Sequence, residues 1–319
     1  MPPIIEAISL ALTYSGQGRG FLGRRNKVRA VDDVSFAIAA GEAFGLVGES
    51  GCGKTSVGRL LSAAVPPSQG EVLLKGERFV EPMPSARRAE VQVIFQDTLG
   101  ALNPRLTIGR QMNEPLIIHK VTDGSERKQR IATTLDAVGL SSNILDLYPQ
   151  EISGGQRQRI VLARALLLRP NVLLCDEAVS ALDVSVQAHV VNLIAALKEE
   201  RQLACLFISH DLRIVSHLCE RIGVMYLGRL IEVGACASLF AAPGHPYTRA
   251  LLGSLPADQP KQRRQKIRLA GEPPSALEPP SGCGFQPRCP FAVDECHMHV
   301  PQLRLSNGHL VACHRAAEI

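Results

Sequence analysis

Apolar and polar positions along the chain follow two rhythms. Ile4, Ile8 and Leu10 mark a short strand over residues 4–12, and Val34, Phe36 and Ile38 mark another over 34–38 by alternation. Phe44–Val47 is a short apolar run that ends in glycine, and a helix over 56–64 follows it. Residues 125–139 place Ile131, Leu135 and Val138 on one helical face. A further helix begins near Gly154, continues through Ile160–Leu168 and stops before Pro170. Val172–Cys175 and Ala204–Ile208 are continuous apolar runs too short for helices, with a helix over 186–200 between them. Such runs, alternating with helices, predict strands buried on both faces, and so an α/β fold with a largely parallel sheet.

Between the first two strands, residues 15–29 hold four glycines and five basic residues. They read as an exposed loop, either a solvated insertion or a contact for an acidic partner or lipid surface. Composition shifts again near residue 256. Eight prolines fall within 256–290, residues 259–268 carry five basic groups and no acid, and four of the nine cysteines follow residue 280. A domain boundary is therefore expected at about 255, dividing the 319 residues into 1–255 and 256–319.

Bulk composition narrows the class. Hydrophobic residues at 45% and charged residues at 20% exclude wholesale disorder. Aromatics are 4% with no Trp, too few for a platform that stacks single-stranded bases. A net charge of +5 is too mild for a nucleic-acid footprint, so no nucleic-acid partner is expected. The N-terminal stretch has no basic leader and carries Glu6, and no run of about 18 uncharged apolar residues occurs. A cytoplasmic chain with reduced thiols is the expectation.

Gly48-Glu49-Ser50-Gly51-Cys52-Gly53-Lys54-Thr55 matches G-x-x-x-x-G-K-[ST], after an apolar strand and before a helix that continues through Ser56. Glycines let consecutive N–H groups face phosphate oxygens, and the helix N-terminus adds favourable dipole charge. Lys54 would reach the β and γ phosphates and Thr55 would ligate Mg²⁺. Asp176, at the end of the Val172–Cys175 run, is placed to hold Mg²⁺ through water, and Glu177 to polarise an attacking water. Ile152-Ser153-Gly154-Gly155-Gln156 is a second anion-ready helix start: a Ser cap, two glycines for close approach, then a helix.

With two such helix starts, the sequence resembles the ATP-binding cassette (ABC) family, whose signature is LSGGQ; Ile152 stands in place of the Leu. The resemblance implies a P-loop NTPase with a RecA-like core, an antiparallel β subdomain and a helical subdomain. It also implies two cassettes that sandwich two ATP, with Ser153, Gly154, Gly155 and Gln156 of each closing on the nucleotide held by the other. Gln96, in VIFQD, then matches the Q-loop, which senses metal and γ-phosphate and faces the membrane subunit. Ser180–Asp183 matches the D-loop, with Asp183 near the nucleotide, and His210, in FISHD, matches the switch histidine. Tyr14 resembles the aromatic that stacks on adenine, with Phe21 as a competitor. The implied catalytic set is Glu177, His210, Gln96 and Lys54, and the implied Mg²⁺ ligands are Thr55, Gln96 and Asp176.

Longer phrases narrow the resemblance: TLGALNPR (98–105), VSALDVSVQA (179–188), MYLGR (225–229) and HPYTRALLGSLP (245–256). They are similar to the ATPase subunits of oligopeptide/dipeptide importers, a group that includes nickel importers. This implies ATP hydrolysis that energises peptide import at the cytoplasmic face of the inner membrane. The implied partners are a second ABC ATPase subunit, two permease subunits and an extracytoplasmic substrate-binding protein. The resemblance points to the second of the paired ATPases, which often partners a distinct sister subunit, and Glu177-Ala178, where most cassettes have Glu-Pro, is consistent with this; an identical partner stays open. An ATPase for nickel or another small solute is the alternative. A soluble ABC ATPase of DNA repair or translation is a second, although such chains carry paired cassettes, coiled coils or zinc modules.

Cys283, Cys289, Cys296 and Cys313 follow C-x5-C-P-x5-C-x16-C. Four thiolates in a reduced compartment suggest zinc or an iron–sulfur cluster, and wide, uneven spacing suits the cluster better than C-x2–4-C zinc knuckles. A metal-free tail stays open. The family resemblance implies a [4Fe–4S] cluster on these four, and a redox-sensing role for the tail is a further reading. Cys175 and Cys205 fall in apolar strands and read as small buried hydrophobes. Cys219 and Cys236 carry no motif.

Overall fold

The computed structural model describes residues 2–19, 25–95, 100–179, 183–254 and 271–318. The chain begins with β1 (Pro3–Arg19), β2 (Arg25–Ala39), β3 (Ala43–Val47), α1 (Lys54–Leu61), β4 (Gln69–Leu74), β5 (Glu77–Arg78), α2 (Ser85–Ala89) and β6 (Val91–Ile94). A helical stretch follows, with α3 (Ile108–Ile118), α4 (Gly124–Ala137) and α5 (Gly154–Leu166). Then come β7 (Val172–Asp176), α6 (Val184–Arg201), β8 (Ala204–Ile208), α7 (Leu212–Leu218), β9 (Arg221–Tyr226) and β10 (Arg229–Ala235). The chain closes with α8 (Cys236–Ala241), α9 (Pro246–Gly253), α10 (Asp294–Met298), β11 (Arg304–Ser306) and β12 (His309–Val311).

Two sheets result. A four-stranded antiparallel sheet has the order β2-β1-β4-β5, and an eight-stranded sheet the order β11-β12-β10-β9-β3-β8-β7-β6. From β6 to β9 the larger sheet is parallel, and β10, β12 and β11 add antiparallel strands at its far side. The period-two alternation of its strands separates two cores. Leu173, Cys175, Cys205 and Phe207 face the core shared with α3 to α7. Val172, Leu174, Ala204, Leu206 and Ile208 face the core shared with α1 and the antiparallel sheet. Both faces are covered, which is why these strands read as unbroken apolar runs. Cys175 and Cys205 are thus small hydrophobes, joined in the first core by Cys219 and Cys236. Burial pushes the Cys205 thiol up to about 12 and the Cys236 thiol up to about 11.

Helix starts follow local side-chain chemistry. Ser153 Oγ accepts from the Gln156 N–H at 3.3 Å while Gln156 Oε1 accepts from the Ser153 N–H at 2.9 Å, a reciprocal cap that starts α5. Asp123 and Asp211 cap α4 and α7 in the simpler way.

The described residues within 15–29 do not form the expected loop. β1 and β2 continue through most of this stretch, pairing Tyr14 with Val28, Ser15 with Lys27 and Arg19 with Arg25. A glycine- and arginine-rich stretch shows no alternation, yet a hairpin ladder needs only backbone donors and acceptors.

The expected boundary at residue 255 lies outside the described residues. The described residues beyond it attach to the larger sheet and to the first core. β12 pairs with β10, matching Glu232 with Val311, and β11 extends the same edge. Phe285 packs into the first core. Among residues 271–318 the buried apolar side chains are Phe285, Cys296, Val311, Ala312 and Ala316. Glu232 pins the junction. Its fully buried carboxylate accepts from the N–H groups of Gly244 at 2.6 Å and His245 at 2.9 Å, and lies 2.7 Å from the equally buried His309 Nε2. Among the described residues, no helix is long and apolar enough to cross a membrane.

Candidate active site

Strand order places the C-terminal ends of β3, β8 and β7 side by side, with Leu46 opposite Ile208 and Ile208 opposite Asp176. The turns that leave these ends carry Gly48–Thr55, Ser209–His210 and Asp176–Glu177, so three sequence motifs converge on one crevice. Gly48 and Gly53 have φ of +154° and +108°. A Cβ on Gly48 would lie 2.2 Å from the Met225 carbonyl, and one on Gly53 2.1 Å from the Ala30 carbonyl, so the turn has no room for a side chain there.

Lys54 is buried at the start of α1. Its Nζ donates to the Gly48 carbonyl at 2.8 Å and the Glu49 carbonyl at 2.9 Å, which folds the loop around the ammonium. Thr55 Oγ1 donates to Asp176 Oδ1 at 3.2 Å, uniting two of the three expected metal-holding groups. Burial raises the Asp176 carboxyl above the usual carboxylate range, against the opposing pull of the Thr55 hydroxyl and the Lys54 charge. A hard divalent cation beside two such oxygens suits this donor set. Glu177 follows with φ of +49°, its N–H donating to the Ile208 carbonyl at 2.9 Å. Its Oε2 lies 3.4 Å from His210 Nδ1, and the His210 side chain is 61% exposed. The crevice therefore offers a cation at its base, a carboxylate pair in the middle and an imidazole at its mouth. Cys52 is buried, with its thiol raised by burial and only partly relieved by Lys54. Ser50 and Gly51 are exposed on the outside of the loop, and Ser56 is half-buried on α1.

The Ser153–Gln156 start of α5 is an open N-terminus, with Ser153 and Gly154 exposed. No atom lies within 4 Å of a Cβ built on Gly154, whereas one on Gly155 would meet Val186 Cγ1 at 2.7 Å. Gln158 on the same helix donates to the Ala178 carbonyl, tying the signature helix to the segment after Glu177. Asp183 is exposed at the start of α6. Tyr14 is half-buried on β1 against the second core, its hydroxyl buried without a hydrogen-bond partner. Gln96, Phe21 and Ser180 to Leu182 lie outside the described residues. Next to Gln96, Phe95 is 52% exposed and lines an open groove with Pro115, Ile118, Val161, Ala165 and Leu168.

Cys283, Cys289, Cys296 and Cys313 line one cavity with His245 and Phe285. All nine cysteines are free. Burial pushes the Cys283 thiol up to about 11 and raises those of Cys289 and Cys313. Among the described residues, no three His, Cys, Asp or Glu side chains gather closely enough to hold a metal ion.

Two contacts at the phosphate-binding turn were not legible in the sequence. The Glu49 N–H donates to the Tyr247 hydroxyl at 2.8 Å, and the Glu49 carboxylate pairs with Arg288. The HPYT phrase was the only signal for the first; nothing in the pattern marked the second.

Comparison with known proteins agrees with this geometry. Residues 31–180 match the profile of the ABC transporter family, and residues 231–296 that of the oligopeptide/dipeptide transporter C-terminal region. The chain is 44% identical to the dipeptide transport ATP-binding protein DppF of Haemophilus influenzae, over 98% of this chain and 96% of that one. It is 43% identical to the di/tripeptide transport ATP-binding protein DppF of Pseudomonas aeruginosa, over 100% and 99%. Its fold is similar to that of the dimeric cassette MJ0796 with ADP and Pi bound, with a TM-score of 0.64 and 25% identity over 73% of this chain and 98% of the other. It is also similar to cbiO1 from Clostridium perfringens, with a TM-score of 0.66 and 21% identity over 76% and 92%.

Proposed function

The chain belongs to the ATP-binding subunits of dipeptide and oligopeptide ABC importers, and on that premise we propose which of its residues do the work. It hydrolyses ATP to power peptide import as one subunit of a transporter that also contains permease subunits and a second ATPase. The observation that carries the site assignment is the convergence of Lys54, Thr55, Asp176, Glu177 and His210 at the ends of three adjacent strands.

In this reading the backbone of Gly48 to Thr55 wraps the phosphates, with Ser56 continuing the helix start and Lys54 leaving its two carbonyls for the β and γ oxygens. Thr55, Asp176 and Gln96 would hold Mg²⁺, which supplies charge neutralisation at those oxygens. Glu177 orients the attacking water, and His210 holds the γ-phosphate at the mouth. Phosphoryl transfer asks little else of a protein than position and charge. Ser153, Gly154, Gly155 and Gln156 act in trans: their open helix start closes on the partner's nucleotide, with Asp183 at the same seam. Tyr14 is the adenine platform. The groove beside Phe95, which Arg88, Gln92, His119 and Arg164 line together with its apolar side chains, takes a cytoplasmic helix of the permease. The subunit works at the cytoplasmic face of the inner membrane, with an extracytoplasmic binding protein delivering the peptide and a sister subunit as the second cassette. The cassette motifs occupy 1–255, and 256–319 forms the tail.

A [4Fe–4S] cluster on Cys283, Cys289, Cys296 and Cys313 belongs to the same reading. What supports it is that the four thiols line one cavity, although among the described residues no three of them gather closely enough to hold a metal ion. Bound there, the group would supply one-electron chemistry and cross-link the tail.

The test of the whole is transport. The subunit, assembled with its permease in proteoliposomes, is expected to show ATP hydrolysis that rises with peptide uptake. Uptake that is indifferent to ATP would overturn the reading.

A further inference from the structure

Glu49 is the most heavily held residue of the phosphate-binding turn. Its carboxylate receives two parallel hydrogen bonds from Arg288, Nη1 to Oε2 at 2.8 Å and Nη2 to Oε1 at 3.1 Å. Its N–H donates to the Tyr247 hydroxyl at 2.8 Å, and its carbonyl accepts from Lys54. Arg288 and Tyr247 both lie outside the nucleotide motifs. Arg288 is 7% exposed and stands on a short 3₁₀ turn, Gln286–Arg288, between Cys283 and Cys289. Behind it the rings of Tyr226, Tyr247 and Phe285 meet edge to face with centroids 4.7 to 5.5 Å apart, and Arg288 Nη1 reaches the Tyr226 hydroxyl at 3.4 Å. This platform delivers one cation to one carboxylate.

That pairing has an electrostatic consequence. A loop that wraps a triphosphate gathers N–H groups and a lysine, whereas Glu49 brings a negative charge into the same turn. Unopposed, this half-buried carboxylate would repel the phosphates. A bidentate guanidinium is the side chain best suited to cancel it in a fixed geometry.

We propose that Arg288 is a positioning residue for nucleotide binding: by neutralising Glu49, the C-terminal tail completes the phosphate-binding loop and sets the affinity of the cassette for ATP. The inference rests on the reading that this chain binds ATP. It gives the tail a role in the cassette's own chemistry, whatever its cysteines hold.

The experiment is equilibrium binding of a fluorescent ATP analogue to the full-length chain and its variants. Arg288→Gln, which loses the charge at similar size, is expected to raise Kd by about tenfold, a penalty that shrinks as salt rises. Arg288→Lys keeps the charge and is expected to stay within about threefold of the unmodified chain. Glu49→Gln combined with Arg288→Gln is expected to return Kd to within about threefold, because no uncompensated carboxylate remains. A purely structural arginine predicts equal losses for the Lys and Gln variants and no rescue by Glu49→Gln; either result overturns the proposal. Should Arg288→Gln not fold, Arg288→Lys and Glu49→Gln alone still decide it, since a rise above threefold in either contradicts the charge argument. Failure of the unmodified chain to bind the analogue would count against the ATPase reading instead.

Discussion

Phe285→Ala tests whether the tail and the cassette share one core. The ring is 1% exposed, and its centroid lies 5.4 Å from Tyr226 and 5.5 Å from both Tyr247 and His245. Its packing partners belong to the same cluster as Leu173 and Phe207 of the central sheet. Truncating a buried Phe to Ala costs about 3–5 kcal/mol, from lost transfer energy and the cavity left behind. If the core is continuous, that loss falls on the unfolding of the whole chain. With a urea slope of about 3 kcal/mol/M, the midpoint should drop by about 1 to 1.7 M. The chain has no Trp and four Tyr, so tyrosine emission is not masked, and two of the four, Tyr226 and Tyr247, touch Phe285. Tyrosine emission and far-UV circular dichroism should therefore move together. Should the tyrosine transition shift while the far-UV transition stays in place, the tail unfolds by itself and the one-core argument is wrong.

Other outcomes follow from the same contacts. Glu177→Gln in the assembled transporter should lower ATP turnover by on the order of 10²–10³ while ATP binding persists; near-normal turnover would remove Glu177 from the catalytic role. Glu232→Ala should cost about 3–5 kcal/mol in urea unfolding, since it strands His309 and two buried N–H groups, and a loss below about 1 kcal/mol would contradict the pinning role. The Cys205 thiol, raised to about 12 by burial, binds its proton more tightly in the folded state. Stability from it is therefore complete below the unfolded thiol's pKa, near 9, and is lost as pH rises toward 12, so Cys205→Ala should flatten the alkaline decline. Native-state alkylation at about pH 8 should also spare Cys205, and labelling at the rate of a free thiol would refute its burial.

What could be read beforehand divides along a physical line. Features built by neighbouring residues were legible. The Gly48–Thr55 turn, the Ser153 cap that starts α5 and the carboxylates ending β7 each depend on backbone chemistry within a few positions. Parallel strands were legible because both of their faces are apolar. Pairings between distant segments left no local trace. The polar stretch in 15–29 pairs across a hairpin whose register no periodicity announces. The three-residue strand His309–Val311 joins β10 through backbone groups that every residue possesses. Arg288 and Glu49 meet across 239 positions, and neither residue looks unusual where it stands. The site's own motifs were therefore visible, while the brace behind them was not.

The edge of the larger sheet has a consequence in time. β10 is complete at Ala235, while the strand that covers it ends at Val311, 76 residues later. At roughly 5–20 residues per second of synthesis, this interval lasts about 4 to 15 s. Throughout it, one side of β10 presents bare amide and carbonyl groups, the template on which a second nascent chain can pair. Ribosomes spaced along one message hold several such chains close together. Protein yield should therefore respond to the speed of translation over this stretch, even when every amino acid is left unchanged.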